Sequence, residues 1–137
     1  MMKYGETEKK NVKKLADTYK EFLDAGKTER ECAANISRIA REHGYRDLEE
    51  ILENGESLKA GDKVYAVNMN KAVLMMEIGT DPMEKGMLLV GSHIDSPRLD
   101  IKQKPLYENS GMAYLDTHYY GGIKKYQYVT IPLAIHG

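Results

Sequence analysis

The chain has 137 residues, of which 42% are hydrophobic and 30% are charged, and its formal net charge is −1. This length allows one ordinary hydrophobic core, and the balanced charge argues against nucleic acid as a partner. The single Cys32 cannot form an internal disulfide, and no apolar run suits a signal peptide or a membrane span, so we expect a cytoplasmic protein without a membrane partner.

The first third of the chain has apolar residues at helical spacing. This spacing predicts an amphipathic helix that ends in a left-handed cap at Gly26. Its apolar residues are Val12, Leu15, Ala16, Tyr19, Phe22 and Leu23. Thr28 and Glu31 then form a capping box, which predicts a second helix ending near Gly44. The residues expected on its buried side are Cys32, Ile36, Ile39 and Ala40. A shorter apolar set follows at Leu48, Ile51 and Leu52.

Strand patterns replace helical ones after residue 55. Residues 63–69 and 72–78 flank a polar turn at 68–71, which predicts a hairpin. A further apolar run at residues 87–90 lies between Gly86 and Gly91, and such a run is typical of a strand buried on both faces. These signals together predict the α/β fold class.

Extended segments continue after Pro97 without further helices. Apolar and polar residues alternate from Leu99 to Gln103, Pro105 breaks this pattern, and residues 109–111 indicate a turn. We expect a strand from residue 112 to 119 and a last one from 126 to 135, at a sheet edge because it contains Pro132.

His93 and Asp95 follow the apolar run directly, and they are the candidate functional residues. Alternate residues of an extended segment share a face, so both side chains are expected to point into one pocket while Ile94 points into the core. The imidazole is a metal ligand and the carboxylate is able to orient it. A single histidine near a strand end is more often structural, and that alternative stays open at this point.

Residues 91–97, Gly-Ser-His-Ile-Asp-Ser-Pro, closely resemble the first metal motif of the M18 family of zinc aminopeptidases, the aminopeptidase I or aspartyl aminopeptidase group. Residues 108–113 and 117–125 resemble the stretch by which a bacterial branch of that family enters its second domain. The resemblance implies that residues 1–103 are the N-terminal part of a zinc-peptidase-like catalytic α/β domain. It also implies that residues 104–137 begin a β-rich dimerisation domain, which the chain contains only in part.

The resemblance further implies the function, which is removal of the N-terminal residue from peptide substrates by two divalent metals. His93 matches the first zinc-binding histidine, and Asp95 matches the aspartate counted with the catalytic residues. Cobalt or manganese is an alternative to zinc. The other ligands and the general base are expected beyond Gly137, so the 137-residue chain is expected to be inactive alone. Members of the family form homo-oligomers, and some carry a histidine near the position of Tyr126.

Two other classes of function remain beside the aminopeptidase. The chain is either a non-catalytic fragment that keeps the fold, or an interaction module whose exposed strand edges drive association. An active enzyme requires further ligands downstream, because two residues are fewer than the three protein ligands of a typical catalytic zinc site. A self-standing module should instead be monomeric and stable without them.

Overall fold

The computed structural model describes residues 4–136 and divides them into two compact units, with the division between Asp95 and Ser96. The elements of the first unit are α1 (Glu6–Ala25), α2 (Glu29–Glu42), β1 (Arg46–Asp47), α3 (Leu48–Glu53), β2 (Lys63–Asn68), β3 (Ala72–Glu77) and a 3₁₀ turn (Met83–Lys85). Those of the second are β4 (Arg98–Asn109), β5 (Met112–Tyr120) and α4 (Lys125–Tyr128). This mixture of helices and strands confirms the predicted α/β class. No helix among the described residues is long and apolar enough to cross a membrane.

The capping box predicted for α2 is confirmed. The Thr28 hydroxyl accepts a hydrogen bond from the Glu31 backbone N–H at 3.3 Å, and the Glu31 carboxylate accepts one from the Thr28 N–H at 2.9 Å. The end of α2 is also as expected, because Gly44 has a left-handed φ of +83°. The left-handed cap predicted at Gly26 is wrong, since that residue has φ −116°. Close approach to Cys32 explains the glycine there, because a Cβ on Gly26 would lie 2.7 Å from the Cys32 Sγ.

The core of the first unit lies between α2, α3 and the three-stranded sheet. Its buried apolar residues are Cys32, Ala33, Ala40, Ile51, Val64 and Tyr65. Ile36 and Ile39 are half-buried, less than predicted. The apolar stripe of α1 is present but exposed, with Leu15 71% and Tyr19 59% accessible, and no described residue of α1 is buried. The helix predicted from the periodicity of α1 is therefore present, but among the described residues little packs against its apolar stripe.

The hairpin predicted at residues 63–78 is confirmed as β2 and β3. These strands pair antiparallel, with Asn68 opposite Ala72, and β1 pairs parallel to β2, so that the sheet order is β1-β2-β3. Met69 and Asn70 make the turn in the left-handed region, at φ 51° and 56°. The polar turn expected from the sequence therefore has the geometry of a tight hairpin connection.

The strand predicted at residues 87–90 is wrong for this chain. None of the residues from 87 to 97 belongs to a helix or strand, and Leu88 is 94% exposed. A strand needs a neighbouring strand to satisfy its backbone N–H and C=O groups, and the part of the chain that the structure describes places none beside this run.

The second unit consists mainly of the antiparallel ribbon β4–β5. Ser110 and Gly111, at φ 54° and 75°, make the predicted turn, and Asn109 pairs with Met112 across it. Pro105 was expected to break the strand, but β4 continues through it. A register shift between Ile101 and Leu106 accommodates the proline. The boundary predicted between residues 103 and 104 falls inside β4, and the assignment of residues 104–137 to a dimerisation domain stays a prediction.

The last strand predicted, at residues 126–135, is also wrong. Its start lies in the short helix α4, where Tyr126 is 73% exposed, and residues 129–136 form no strand. The preceding Tyr-Gly-Gly makes a turn through Gly121 at φ +73°, where a Cβ would lie 3.2 Å from Pro97 Cα. Gly121 is therefore required both by its backbone conformation and by close packing.

Candidate metal centre

His93 and Asp95 lie in an irregular segment that follows Gly91, near the end of the first unit. Both side chains are open to solvent, His93 at 84% and Asp95 at 55% of their full accessibility, whereas Ile94 between them is half-buried. The exposure of the side chains therefore alternates along this segment, but His93 and Asp95 face solvent rather than the predicted pocket, and Ile94 is only half-buried rather than in the core. Because both candidate side chains are exposed, the described residues provide little shielding of this pair from water.

The structure brings the His93 ring and the Asp95 carboxylate together. The Nδ1 atom of His93 lies 3.2 Å from Asp95 Oδ1 and 3.1 Å from the Asp95 backbone oxygen. With the proton on Nδ1, the ring donates to both oxygens and Nε2 keeps a free lone pair. Metal-binding histidines in proteins have this arrangement, in which the second ring nitrogen donates to a carboxylate or a carbonyl.

The donor set fits part of a zinc site. An imidazole nitrogen with an orienting carboxylate suits zinc, whose catalytic sites usually take three protein ligands. Among residues 4–136, however, no group of three or more His, Cys, Asp or Glu side chains is arranged to hold a metal ion. His93 therefore fits the role of one ligand, and a catalytic zinc site would need further donors.

A shallow cleft of about 340 Å³ lies at another place in the first unit, and no sequence motif predicted it. Its lining includes Arg41, Arg46, Asp47 and Glu56. Arg46 lies 2.7 Å from Glu56, and Arg41 lies 3.9 Å from Asp47, so the arginines are neutralised by their neighbours. We assign no chemistry to this cleft, because both of its arginines already pair with carboxylates.

Comparison with known proteins identifies the family of the chain. Residues 22–137 match the model of the family described as aminopeptidase I zinc metalloprotease (M18). The chain belongs to the M18 family. The "Probable M18 family aminopeptidase 1" of Clostridium acetobutylicum is 55% identical over 135 residues, which are 98% of this chain and 29% of that relative. The resemblance stated from residues 91–97 is thereby confirmed.

Solved structures of M18 relatives share the fold. The crystal structure of aminopeptidase I from Borrelia burgdorferi B31 superposes with a TM-score of 0.84 at 39% identity, over 94% of this chain and 31% of that one. The M18 aminopeptidase from Thermotoga maritima gives a TM-score of 0.80 at 38% identity, over 96% of this chain and 29% of that one. The chain thus spans less than a third of the length of these relatives. The roles of His93 and Asp95 stay predictions from the motif and its geometry.

Proposed function

We propose that this chain provides the first metal motif of an aminopeptidase that removes the N-terminal residue from peptides. The observation that carries the proposal is the contact between His93 Nδ1 and Asp95, which leaves Nε2 available to a metal in a chain of the M18 family. The family is described as a zinc metalloprotease, which supports zinc as the metal. Peptides are the substrates that such an activity requires.

The residues of this chain have defined tasks in the proposed reaction. His93 binds the metal through Nε2, and Asp95 holds the ring in orientation and raises the basicity of that nitrogen. Zinc held there would supply Lewis-acid chemistry at neutral pH. Loss of the orienting carboxylate in comparable sites costs about 10–100-fold in metal affinity or activity.

The finer points of the proposal rest on the resemblance. Two divalent metals are expected in the intact enzyme, with cobalt or manganese as alternatives to zinc at nitrogen and oxygen ligands. We also propose that the protein forms a homo-oligomer through the β-rich region that begins at residue 104. Its expected location is the cytoplasm. The chain alone is expected to be inactive, because His93 and Asp95 are fewer residues than a catalytic zinc site needs.

A chimera tests the proposal. Residues 1–137 replace the aligned residues of the Clostridium acetobutylicum relative, and hydrolysis of aminoacyl-p-nitroanilides is measured with and without a chelator. We expect chelator-sensitive hydrolysis by the chimera and none by the 137-residue chain. His93→Ala should abolish the activity of the chimera, whereas His43→Ala, an exposed residue at the end of α2, should retain it. Full activity of the His93→Ala chimera would contradict the proposal.

A non-catalytic interaction module is the second candidate. The observation that favours it is that large apolar side chains are exposed in each of the two units. Leu15 and Leu88 in the first unit are 71% and 94% accessible, and Leu106 in the second is 71% accessible. Surfaces of this kind mark sites of association. An inactive chimera that folds and binds no zinc would support this candidate over the aminopeptidase.

A further inference from the structure

An asparagine that precedes a small residue can lose its side-chain amide as ammonia without an enzyme. The backbone nitrogen of the following residue attacks the side-chain carbonyl carbon, and a small following residue obstructs this approach least. The chain has two such pairs in exposed turns, Asn54–Gly55 at the end of α3 and Asn109–Ser110 between β4 and β5. Because glycine lacks a Cβ, an unfolded chain is expected to react first at Asn54.

The structure restrains the Asn54–Gly55 pair. The Gly55 N–H donates a hydrogen bond to the Leu52 carbonyl at 3.1 Å, and the Asn54 N–H donates one to the Glu50 carbonyl at 3.1 Å. The Asn54 side-chain amide donates to Glu56 Oε1 at 3.4 Å. The attacking nitrogen can turn toward the side chain only after its own hydrogen bond breaks. Loss of one such bond slows the reaction by about 2–10-fold.

The Asn109–Ser110 pair has no such restraint, and its carbonyl group is activated. Within residues 4–136, the Ser110 N–H donates to no backbone oxygen. The Ser110 hydroxyl donates to Asn109 Oδ1 at 3.0 Å. A donor at this oxygen stabilises the negative charge that develops there when a nucleophile adds to Cγ, as the donors of an oxyanion hole do. Ser110 therefore provides both the nucleophile and the stabilising donor.

The backbone of the β4–β5 turn favours the same pair. Ser110 has a φ of 54°, in the left-handed region that is unfavourable for a residue with a Cβ, so the turn has less to lose when it changes conformation. The neighbouring Gly111 N–H is engaged, because it donates to Glu108 Oε1 at 2.7 Å. Asn109 and Ser110 are both exposed, so water reaches the site.

We propose that Asn109, rather than Asn54, is the site of spontaneous deamidation in the folded protein. The Ser110 nitrogen loses its proton and forms a bond to Asn109 Cγ, the Cγ–Nδ2 bond breaks, and Nδ2 takes up a proton and leaves as ammonia. Water then opens the cyclic imide at either carbonyl carbon, which gives aspartate or isoaspartate at position 109. Both products add a negative charge next to Glu108. Isoaspartate also inserts a methylene group into the main chain beside Met112, the residue paired with Asn109.

Peptide mapping by mass spectrometry tests the site in the unmodified sequence. The folded chain and the chain unfolded in guanidinium chloride are incubated at the same mildly alkaline pH and temperature, and deamidation is followed at both asparagines. We expect Asn109 to react faster than Asn54 in the folded chain and the order to reverse in the unfolded chain. Faster reaction at Asn54 in both states would overturn the proposal. This comparison requires no variant to fold, and it does not depend on metal binding or peptidase activity.

Variants test the part played by each group. Asn109→Gln should remove most of the deamidation of the folded chain, because a glutamine side chain would have to close a larger ring, whereas the matched Asn54→Gln should retain it. Ser110→Ala keeps the Cβ but removes the donor to Oδ1. It should slow the reaction at Asn109 by about 2–10-fold in the folded chain, relative to the same variant unfolded. An equal ratio of folded to unfolded rates with and without the hydroxyl would overturn its activating role.

Discussion

Gly26, at the end of α1, lies against the side chain of Cys32 in α2, and replacement of this glycine by alanine has a calculable cost. An alanine Cβ would lie 2.7 Å from Cys32 Sγ and 3.3 Å from the Phe22 backbone oxygen. The backbone of Gly26, at φ −116° and ψ 87°, lies outside the left-handed region that favours glycine. The contact with Cys32 is therefore the main source of the cost.

The magnitude follows from how far the two atoms have to separate. Non-bonded heavy atoms are normally about 3.5–4.0 Å apart, so the sulfur and the new methyl group have to separate by about 1 Å. Cys32 is 5% exposed and has no open space to enter, and insertion of a methyl group into a packed core costs about 1–3 kcal/mol. Alanine also reduces the entropy of the unfolded chain, which offsets about 0.4–1 kcal/mol. We expect Gly26→Ala to lower the free energy of unfolding by about 1–2 kcal/mol.

Thermal unfolding followed by circular dichroism measures this effect. For a unit of this size, each 1 kcal/mol lowers Tm by about 4–8 °C. Gly79→Ala is the matched control, because its Cβ would come no closer than 4.0 Å to another atom. In the Cys32→Ala background the added penalty of Gly26→Ala should largely disappear. Equal Tm values for Gly26→Ala and Gly79→Ala, or an unchanged penalty without the Cys32 sulfur, would refute the reasoning.

Three further predictions concern the first unit. Thr28→Ala should lower the free energy of unfolding by about 0.5–2 kcal/mol in chemical denaturation, because it removes the N-cap of α2, and Thr18→Ala is the exposed control. Tyr45 and Glu77 share a 2.8 Å hydrogen bond that lowers the pKa of Glu77 below 4.5 and raises that of Tyr45 above 10.0. Stability from this bond should be lost as pH falls through the lowered pKa and as it rises through the raised one. Denaturation of Tyr45→Phe should lack the loss at high pH and show a smaller loss at low pH, because Lys63 still lowers the pKa of Glu77. Burial raises the pKa of the Cys32 thiol, so a thiol reagent should react with it only after unfolding, and fast reaction of the native chain would contradict its burial.

The elements that the sequence predicted correctly depend on contacts between residues close in the chain. The capping box of α2 requires only Thr28 and Glu31, and the β2–β3 hairpin requires two alternating segments with a turn between them. The turn at Ser110 is equally local. The backbone and side-chain groups of such elements find their partners within a few residues, so the sequence pattern contains the necessary information.

The wrong predictions concern elements whose partners are distant in sequence. The apolar run at 87–90 has the composition of an inner strand, and its composition contains no information on whether neighbouring strands are present. Residues 126–135 likewise have strand-forming residues, yet the first of them form α4. The α1 stripe has the correct period, but Leu15 stays exposed because the period does not supply a partner. In each case the pattern indicates which side chains favour burial. Burial occurs only where another element of structure packs against them.

The same distinction applies to the candidate metal centre. The contact between His93 and Asp95 was predictable because two residues of the same face are involved, and the structure places Nδ1 3.2 Å from the carboxylate. The additional ligands that zinc requires have no counterpart among the described residues. Two neighbouring residues therefore produce a readable local pattern, whereas donors brought together from distant parts of a fold leave none in the sequence.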